Sequence, residues 1–180
     1  MPPSPKNNLP IPPRWTADRA GLHCNGLLLS FQRYACPADS IVLELPTSLG
    51  ALPVGAGAEG FLLPLAEAEA FWIGVMGGGG PANPWPLAIA GVDRTGATLS
   101  IARITSKADA FLPGYPRPDG RWGALSRGGC SMLLIEVGRT NAIPGATVRL
   151  VSPPEYAALT GQAAPPPLDP SAGYGGWLLE

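Results

Sequence analysis

Two closely spaced carboxylates are the residues of this chain whose types and spacing best fit catalysis. Glu67 and Glu69 lie two positions apart in the segment LAEAEAFW. On a β-strand they would share one face about 7 Å apart, which resembles the separation of the two carboxyl groups in a glycosidase. In a turn the two side chains would point apart and be solvated. Asp109 and Asp119 are a second acidic pair for the same hypothesis, a small hydrolase or carbohydrate-acting enzyme.

Nucleophilic and metal chemistry have few residues to use. His23 is the single histidine, so a catalytic triad would need it together with Cys130 or Ser131. A zinc site would need His23 and the cysteines, whose spacings include no short chelating pair. These cysteines are Cys24, Cys36 and Cys130. The sequence therefore predicts no catalytic nucleophile, no bound metal and no cofactor.

A proline-rich loop holds the most suggestive binding residues. The segment GYPRPDGRWG and one tryptophan upstream supply the candidates Trp85, Tyr115, Arg117, Asp119 and Trp122. Aromatic rings beside charged groups, on loops at one end of a rigid scaffold, can bind a sugar or a peptide. The alternative is that the two tryptophans seal loop ends over the sheet, without a ligand.

A run of four glycines, Gly77–Gly80, has with Ala82 the spacing of a dinucleotide-binding fingerprint. In that motif a helix begins at the third small residue, so that its free N–H groups bind the pyrophosphate. Three prolines follow between residues 81 and 86, and a helix interior excludes proline. We therefore expect a connection between strands and no nucleotide site.

Apolar patterns predict β-strands along most of the chain. In GLLLSFQRY, Leu27, Leu29 and Phe31 would share one face, with Ser30 and Gln32 on the other. In SIVLEL, Leu43 would share a face with its apolar neighbours two positions away. GFLLPL and FWIGVM are nearly continuous apolar runs, which suits strands covered on both faces. The other predicted strands are LAIAGV, ATLSIARI, CSMLLIEVG and ATVRLVS.

Turn and helix signals complete the predicted fold. Asp93–Gly96 predicts a hairpin turn. Ser152, Pro153 and Glu155 predict a helix N-terminus with a capping box, and Gly161 predicts the end of that helix. We expect an all-β fold, an antiparallel β-sandwich or partly open barrel of about eight short strands with one short C-terminal helix, about residues 153–160.

Length and composition predict one domain that associates with itself. Residues 1–13 would form a flexible proline-rich arm, and residues 14–180 a single β-rich domain with a loop-like tail over 162–180. Only 14% of the 180 residues are charged and 46% are hydrophobic, against about 25% charged in an ordinary soluble domain. A surface so poor in charge predicts a homo-oligomer, most simply a dimer.

Charge distribution and targeting signals limit the other partners. The 12 basic residues are scattered singly and the net charge is −1, which disfavours nucleic acid and membrane surfaces as partners. No signal peptide or membrane-spanning run is evident. Free cysteines in odd number fit a cytoplasmic protein.

Residues 45–75 resemble an uncharacterised family of small bacterial and fungal proteins of unknown function. The resemblance is carried by an L-P-x-x-L-G-x-x-P segment and a proline-broken strand that ends in E-A-x-W. The matching residues are Leu45, Pro46, Leu49, Gly50, Pro53, Leu63, Pro64, Glu69, Ala70 and Trp72. It implies no activity.

The sequence as a whole favours a non-enzymatic β-sandwich that binds a partner, a protein or a sugar, or assembles with itself. One alternative is the hydrolase that uses Glu67 and Glu69, or Asp109 and Asp119. Another is a structural subunit of a larger bacterial or phage-like assembly.

Overall fold

Two six-stranded β-sheets packed face to face form the body of the protein. The computed structural model describes residues 14–77, 85–105, 108–138, 145–169 and 176–177, so the predicted arm over residues 1–13 lies outside the described residues. The expected all-β fold with one short helix is confirmed. The elements are β1 (Thr16–Ala17), β2 (Leu22–Cys24), β3 (Leu27–Ala35), β4 (Ile41–Val42), β5 (Leu45–Pro46), β6 (Gly55–Gly57), β7 (Gly60–Pro64), β8 (Glu69–Gly77), β9 (Pro86–Val92), β10 (Thr98–Thr105), β11 (Ala110–Leu112), β12 (Tyr115–Pro116), β13 (Trp122–Gly123), β14 (Leu125–Ser126), β15 (Met132–Val137), β16 (Ala146–Val151), α1 (Pro153–Thr160) and β17 (Gly176–Trp177).

The first sheet has the order β1-β2-β3-β8-β11, and β14 pairs with β8 beyond the end of β11. Its centre is the antiparallel pair β3–β8, which runs in register from Leu27 opposite Gly77 to Ala35 opposite Glu69. Successive residues of a strand point to opposite faces. This register therefore decides which side chains of both strands enter the core.

The inward face of the first sheet is the apolar face that alternation predicts. Leu27, Leu29 and Phe31 of β3 are buried, as are Phe71 and Ile73 of β8. The rings of Phe31 and Phe71 meet edge to face with centroids 5.8 Å apart, a favourable arrangement of two aromatic rings. The prediction for GLLLSFQRY is thus confirmed.

The second sheet covers this face with the order β10-β9-β15-β16-β7-β6. The predicted hairpin turn joins β9 to β10, where Gly96 has a φ of 86° and Asp93 accepts three hydrogen bonds from Thr95 and Ala97. The pairs within the sheet are antiparallel except β16–β7, which is parallel. Buried residues of both sheets, such as Leu29 and Ile135, belong to one core.

The segment SIVLEL is not the single strand that its alternation predicts. It forms two 2-residue strands, β4 and β5, and it is Val42 that is buried, whereas Leu43 is 68% exposed. The reason is the pairing partners: β4 pairs with β13 in a small three-stranded sheet, while β5 pairs with β17 near the C-terminus. Because its two halves pair with different strands, the segment does not form one continuous strand and does not keep one alternating pattern of burial.

The helix α1 forms where its caps predict. Ser152 accepts a hydrogen bond from the Glu155 main-chain N–H, Pro153 is the first helical residue, and Gly161 ends the helix with a φ of 69°. Tyr156 is buried against Leu62 and Val151 on the outer surface of the second sheet. Within the described part of the chain, no helix has the length and apolarity to cross a membrane.

A buried ion pair fastens the C-terminal segment to the first sheet. Arg33 Nη1 lies 3.4 Å from Glu69 Oε1, with side chains only 12% and 4% exposed. The same carboxylate accepts a hydrogen bond from the Leu168 N–H at 2.8 Å and, at 3.3 Å, one from Ala66. Arg33 also donates to the Pro166 carbonyl at 2.8 Å. Residues 166–168 are therefore held at the junction of β3 and β8.

We expect Glu69→Gln to lower the free energy of unfolding by about 3 kcal/mol, because it leaves the Arg33 charge buried without its counter-ion. The matched control is Glu67→Gln, since Glu67 is exposed two residues away, and it should change stability by less than about 0.5 kcal/mol. Urea unfolding followed by tryptophan fluorescence measures both. Equal effects of the two substitutions would show that Glu69 does not anchor the segment.

Candidate functional site

The predicted acidic pair does not form a common site. Glu67 lies in an exposed turn before β8, whereas Glu69 begins β8 and its carboxylate is occupied by Arg33 and two main-chain N–H groups. Asp109 and Asp119 are likewise engaged separately. Asp109 accepts a hydrogen bond from the Gly77 N–H, and Asp119 lies at the tip of the β12–β13 hairpin.

The candidates for nucleophilic and metal chemistry lie in different surroundings. His23 Nε2 is 3.0 Å from Asp18 Oδ1, and this contact is the main cause that lowers the pKa of Asp18 below its usual value. Cys130 is buried in the core, where burial raises the pKa of its thiol. Cys24 is also buried, and Cys36 is half-buried. Among the described residues no three His, Cys, Asp or Glu side chains gather as metal ligands.

The predicted aromatic platform is divided between two faces of a hairpin. Tyr115 pairs with Gly123 across β12–β13, and Trp122 pairs with Pro116. Since alternate positions of a strand face opposite sides, Tyr115 and Trp122 point away from each other. Both rings are half-buried; Tyr115 packs against the main core, whereas Trp122 packs in a cluster with Val42.

The charged residues of this loop bind one another. Asp119 Oδ2 accepts hydrogen bonds from Arg121 Nη2 at 2.6 Å and Nε at 3.0 Å, and it lies 3.5 Å from Arg117 Nε. The hydrogen bond from the Arg121 side chain is the largest cause that lowers the pKa of Asp119 to about 2. The carboxylate therefore stays ionised at neutral pH and closes the hairpin tip.

Trp85 and the glycine run flank a part of the chain that the structure does not describe. Trp85 is half-buried against the main core just before β9. Gly77 ends β8 with a φ of 71°, a conformation that favours glycine. Gly78–Gly80, and with them most of the predicted strand connection, lie outside the described residues.

The outer face of the first sheet is the most distinctive surface. The register places Leu28 opposite Met76, and Ser30 and Phe111 on either side of Gly74. These positions and Trp72 alternate with the core residues and point outward. We call the six positions Leu28, Ser30, Trp72, Gly74, Met76 and Phe111 the uncharged face, because none of them holds an ionisable side chain.

An aromatic pair lies at the centre of the uncharged face. The rings of Trp72 and Phe111 meet edge to face, with centroids 5.8 Å apart and an interplanar angle of 85°. Gly74 lies beside this pair, and a Cβ there would lie 2.6 Å from Ser30 Oγ, so the position has no room for a side chain. Phe111 is 55% exposed. A half-buried and an exposed ring are thus in contact on this face.

Polar groups border this face. His23, which pairs with Leu28 across β2–β3, and its partner Asp18 lie along one margin. Gln32 accepts a hydrogen bond from Ser48 at 2.6 Å on another margin. Beyond Trp72, the small sheet of β4, β12 and β13 covers the rest of the same surface, where Tyr34 and Ala70 are buried. An apolar centre with a polar rim is the usual anatomy of a protein–protein interface.

Sequence analysis did not identify this surface. Trp72 lies in a run that predicts a strand covered on both faces, and β11, which contributes Phe111, has only three residues. The one available signal was the continuous apolar run FWIGVM, which predicts cover on both faces of β8. In the structure Trp72 and Met76 are only half-buried, so the cover is incomplete at this end of β8.

Comparisons with known proteins yield no match: neither a family model, nor a curated protein, nor a solved structure matches the chain. The resemblance of residues 45–75 to an uncharacterised family therefore stays a prediction. In the structure, segments that carry this resemblance meet at one residue, Arg33. The Arg33 main chain bonds to Leu49 and Gly50, and the Arg33 side chain contacts Glu69.

The position of Tyr115 is testable, because its ring lies where a side chain at Gly123 would be. Gly123→Ala should lower the free energy of unfolding by about 2 kcal/mol through overpacking. At Gly129 a Cβ would meet nothing within 4 Å, so Gly129→Ala should be nearly neutral. Thermal and urea unfolding compare the two. A neutral Gly123→Ala would mean that the ring is free to leave Gly123.

Proposed function

We propose that this protein is a non-enzymatic β-sandwich module that assembles with itself, in the simplest case as a dimer, through the uncharged face. The observation that carries the proposal is the Trp72–Phe111 ring pair at the centre of the uncharged face, where Phe111 is 55% exposed and Trp72 is half-buried. Its partner is a second copy of the same chain.

The first support is that the apolar side chains of the uncharged face are incompletely buried in a single chain. A sheet face exposed to water normally alternates polar side chains with the buried ones. Here Leu28, Trp72, Met76 and Phe111 take the outward positions of three neighbouring strands. Large aromatic side chains are also the residues that contribute most to the affinity of protein interfaces. Covering them would complete the burial that the FWIGVM pattern predicts.

The second support is symmetry. In a two-fold contact, the same patch of both subunits meets itself, and side chains near the axis meet their own copies. A charged side chain there would face a like charge, so an uncharged patch suits this geometry. The low content of charged residues, 14% of the chain, agrees with a surface that is partly covered in the assembled state.

The enzymatic alternative receives less support from the geometry. Glu69 is committed to Arg33 and the C-terminal segment, and Asp119 to Arg121. Three described pockets are lined by one carboxylate each: Asp18, Glu59 and Glu67. A pair of carboxyl groups in one cleft is what general acid–base chemistry on a glycoside requires.

We also propose that the protein resides in the cytoplasm and does not bind nucleic acid or a membrane surface. The three cysteines are free, and two of them are buried, as is usual in a reducing compartment. Of the 12 basic residues, Arg33, Arg117, Arg121 and Arg149 are engaged with carboxylates. The basic residues are also scattered singly along the sequence, whereas binding to nucleic acid needs several neighbouring phosphate contacts.

Phe111→Glu tests the assembly, because it places a charge at the centre of the proposed contact. Wild-type protein at micromolar concentration should have a mass of 37 kDa by light scattering, twice the 18.5 kDa of one chain. The substitution should raise the dimer dissociation constant by about thirtyfold or more. Phe111 is exposed in the single chain, so the variant should keep its fold, which circular dichroism checks.

The matched control is Leu134→Glu. Leu134 is an apolar side chain, 36% exposed, on the outer surface of the second sheet, and its substitution should leave the mass at that of wild type. A larger assembly that Phe111→Glu disrupts would also support the contact, and would favour the structural-subunit hypothesis. A monomeric wild type, or a folded Phe111→Glu protein with unchanged mass, would contradict the proposal.

A further inference from the structure

A small pocket lies among the turns at one end of the sandwich, on a part of the surface separate from the uncharged face. It is formed by four turns: the turn after β3, the turn before β8, the β9–β10 hairpin and the turn between β14 and β15. Its volume is about 370 Å³, which is at the lower end of the range for small-molecule sites. The side chains that matter for its chemistry are Cys36, Ser40, Glu67, Arg94, Ser126 and Arg127.

Two arginines line this pocket and are oriented by main-chain carbonyls. Arg94 Nε donates a hydrogen bond to the Arg127 carbonyl at 3.2 Å. Arg127 Nη1 donates to the Leu65 carbonyl at 3.5 Å. Each bond uses one N–H group of a guanidinium that carries five. Several donors of both side chains therefore remain for a ligand.

These two guanidinium groups have no carboxylate as counter-ion among the described residues. Ion pairs within 4.0 Å are formed by Arg33, Arg117, Arg121 and Arg149, but not by Arg94 or Arg127. Glu67 lines the same pocket without pairing with either. Two cations and one anion leave the pocket with a net positive charge. An anion in the pocket would be attracted by both cations.

Neutral donors complete the lining. Ser40 and the buried Ser126 belong to the lining, and Cys36 Sγ donates to the Pro37 carbonyl at 3.6 Å. Burial is the main cause that raises the pKa of the Cys36 thiol, so this side chain adds no negative charge at neutral pH. Hydroxyl groups and planar guanidinium groups together are typical of sites for phosphate and carboxylate groups.

We infer that this pocket binds the oxyanion group, phosphate or carboxylate, of a small molecule. Arg94 and Arg127 hold the oxygens from two sides, and Ser40 and Ser126 donate further hydrogen bonds. Glu67 at the rim opposes a second negative charge and selects against more highly charged anions. The site is independent of self-assembly, because none of its residues belongs to the uncharged face.

Calorimetric titration at constant ionic strength tests the site, with inorganic phosphate and acetate as separate probes and chloride as the blank. One or both oxyanions should bind with millimolar affinity or better, and the stronger one identifies the preferred group. Arg94→Ala should raise its dissociation constant about tenfold or more, because a charge-assisted hydrogen bond is lost. Glu67→Gln should lower it about two- to fivefold, because a like charge is removed.

The control is Arg103→Ala, since Arg103 is exposed on β10 and does not line the pocket, so its substitution should leave binding unchanged. Arg127→Lys keeps the charge but loses the forked donor, so it should weaken binding less than Arg127→Ala. The melting temperature without anion verifies that each variant is folded. No binding of either oxyanion to wild type would overturn the inference. So would equal losses for Arg94→Ala and Arg103→Ala, which would indicate a response to total charge.

Discussion

The pairing of β3 with β8 is the constraint on which the rest of the structure depends. Nine residues of each strand are in register, and a slip by one residue would exchange the two faces of both strands. In this register Phe31 and Phe71 point into the core, and Trp72 and Met76, at the alternate positions of β8, point outward. Core and uncharged face are therefore two consequences of one alignment.

Arg33 connects this strand pair to the rest of the chain. Its main chain pairs with residues 49 and 50, and its side chain contacts Glu69 and the Pro166 carbonyl. Strands β3 and β8, the segment after β5 and the C-terminal residues thus meet at one buried cation. A buried charge is costly unless a counter-ion and hydrogen bonds compensate it. Glu69, in its alanine-rich segment, therefore has a structural role as the counter-ion of Arg33.

Local sequence patterns correctly predicted the elements whose structure depends mainly on residues close in sequence. The caps of α1, the Asp93–Gly96 hairpin and the alternation in β3 each depend on neighbours in sequence, and each is confirmed. SIVLEL was predicted wrongly, because its two halves pair with different distant strands. The exposure of Phe111 depends likewise on the pairing of β11 with β8, which no local pattern encodes.

The two proposed sites also depend on contacts between residues that are distant in sequence. Arg94 and Arg127 are 33 positions apart and meet only because two turns share one end of the sandwich. Tyr115 and Trp122, close in sequence, were expected to act together, but strand alternation places them on opposite faces. Proximity along the chain was thus a poor guide to proximity in the fold.

Hydroxyl-radical labelling at increasing protein concentration tests the central claim most directly, because two methionines report on opposite sides of the molecule. Met76 lies on the uncharged face, and Met132 is equally half-buried on the outer surface of the second sheet. The account predicts that oxidation of Met76 falls as the concentration rises, while oxidation of Met132 stays constant. An oxidation rate of Met76 that does not depend on concentration, with the protein in the micromolar range, would contradict it.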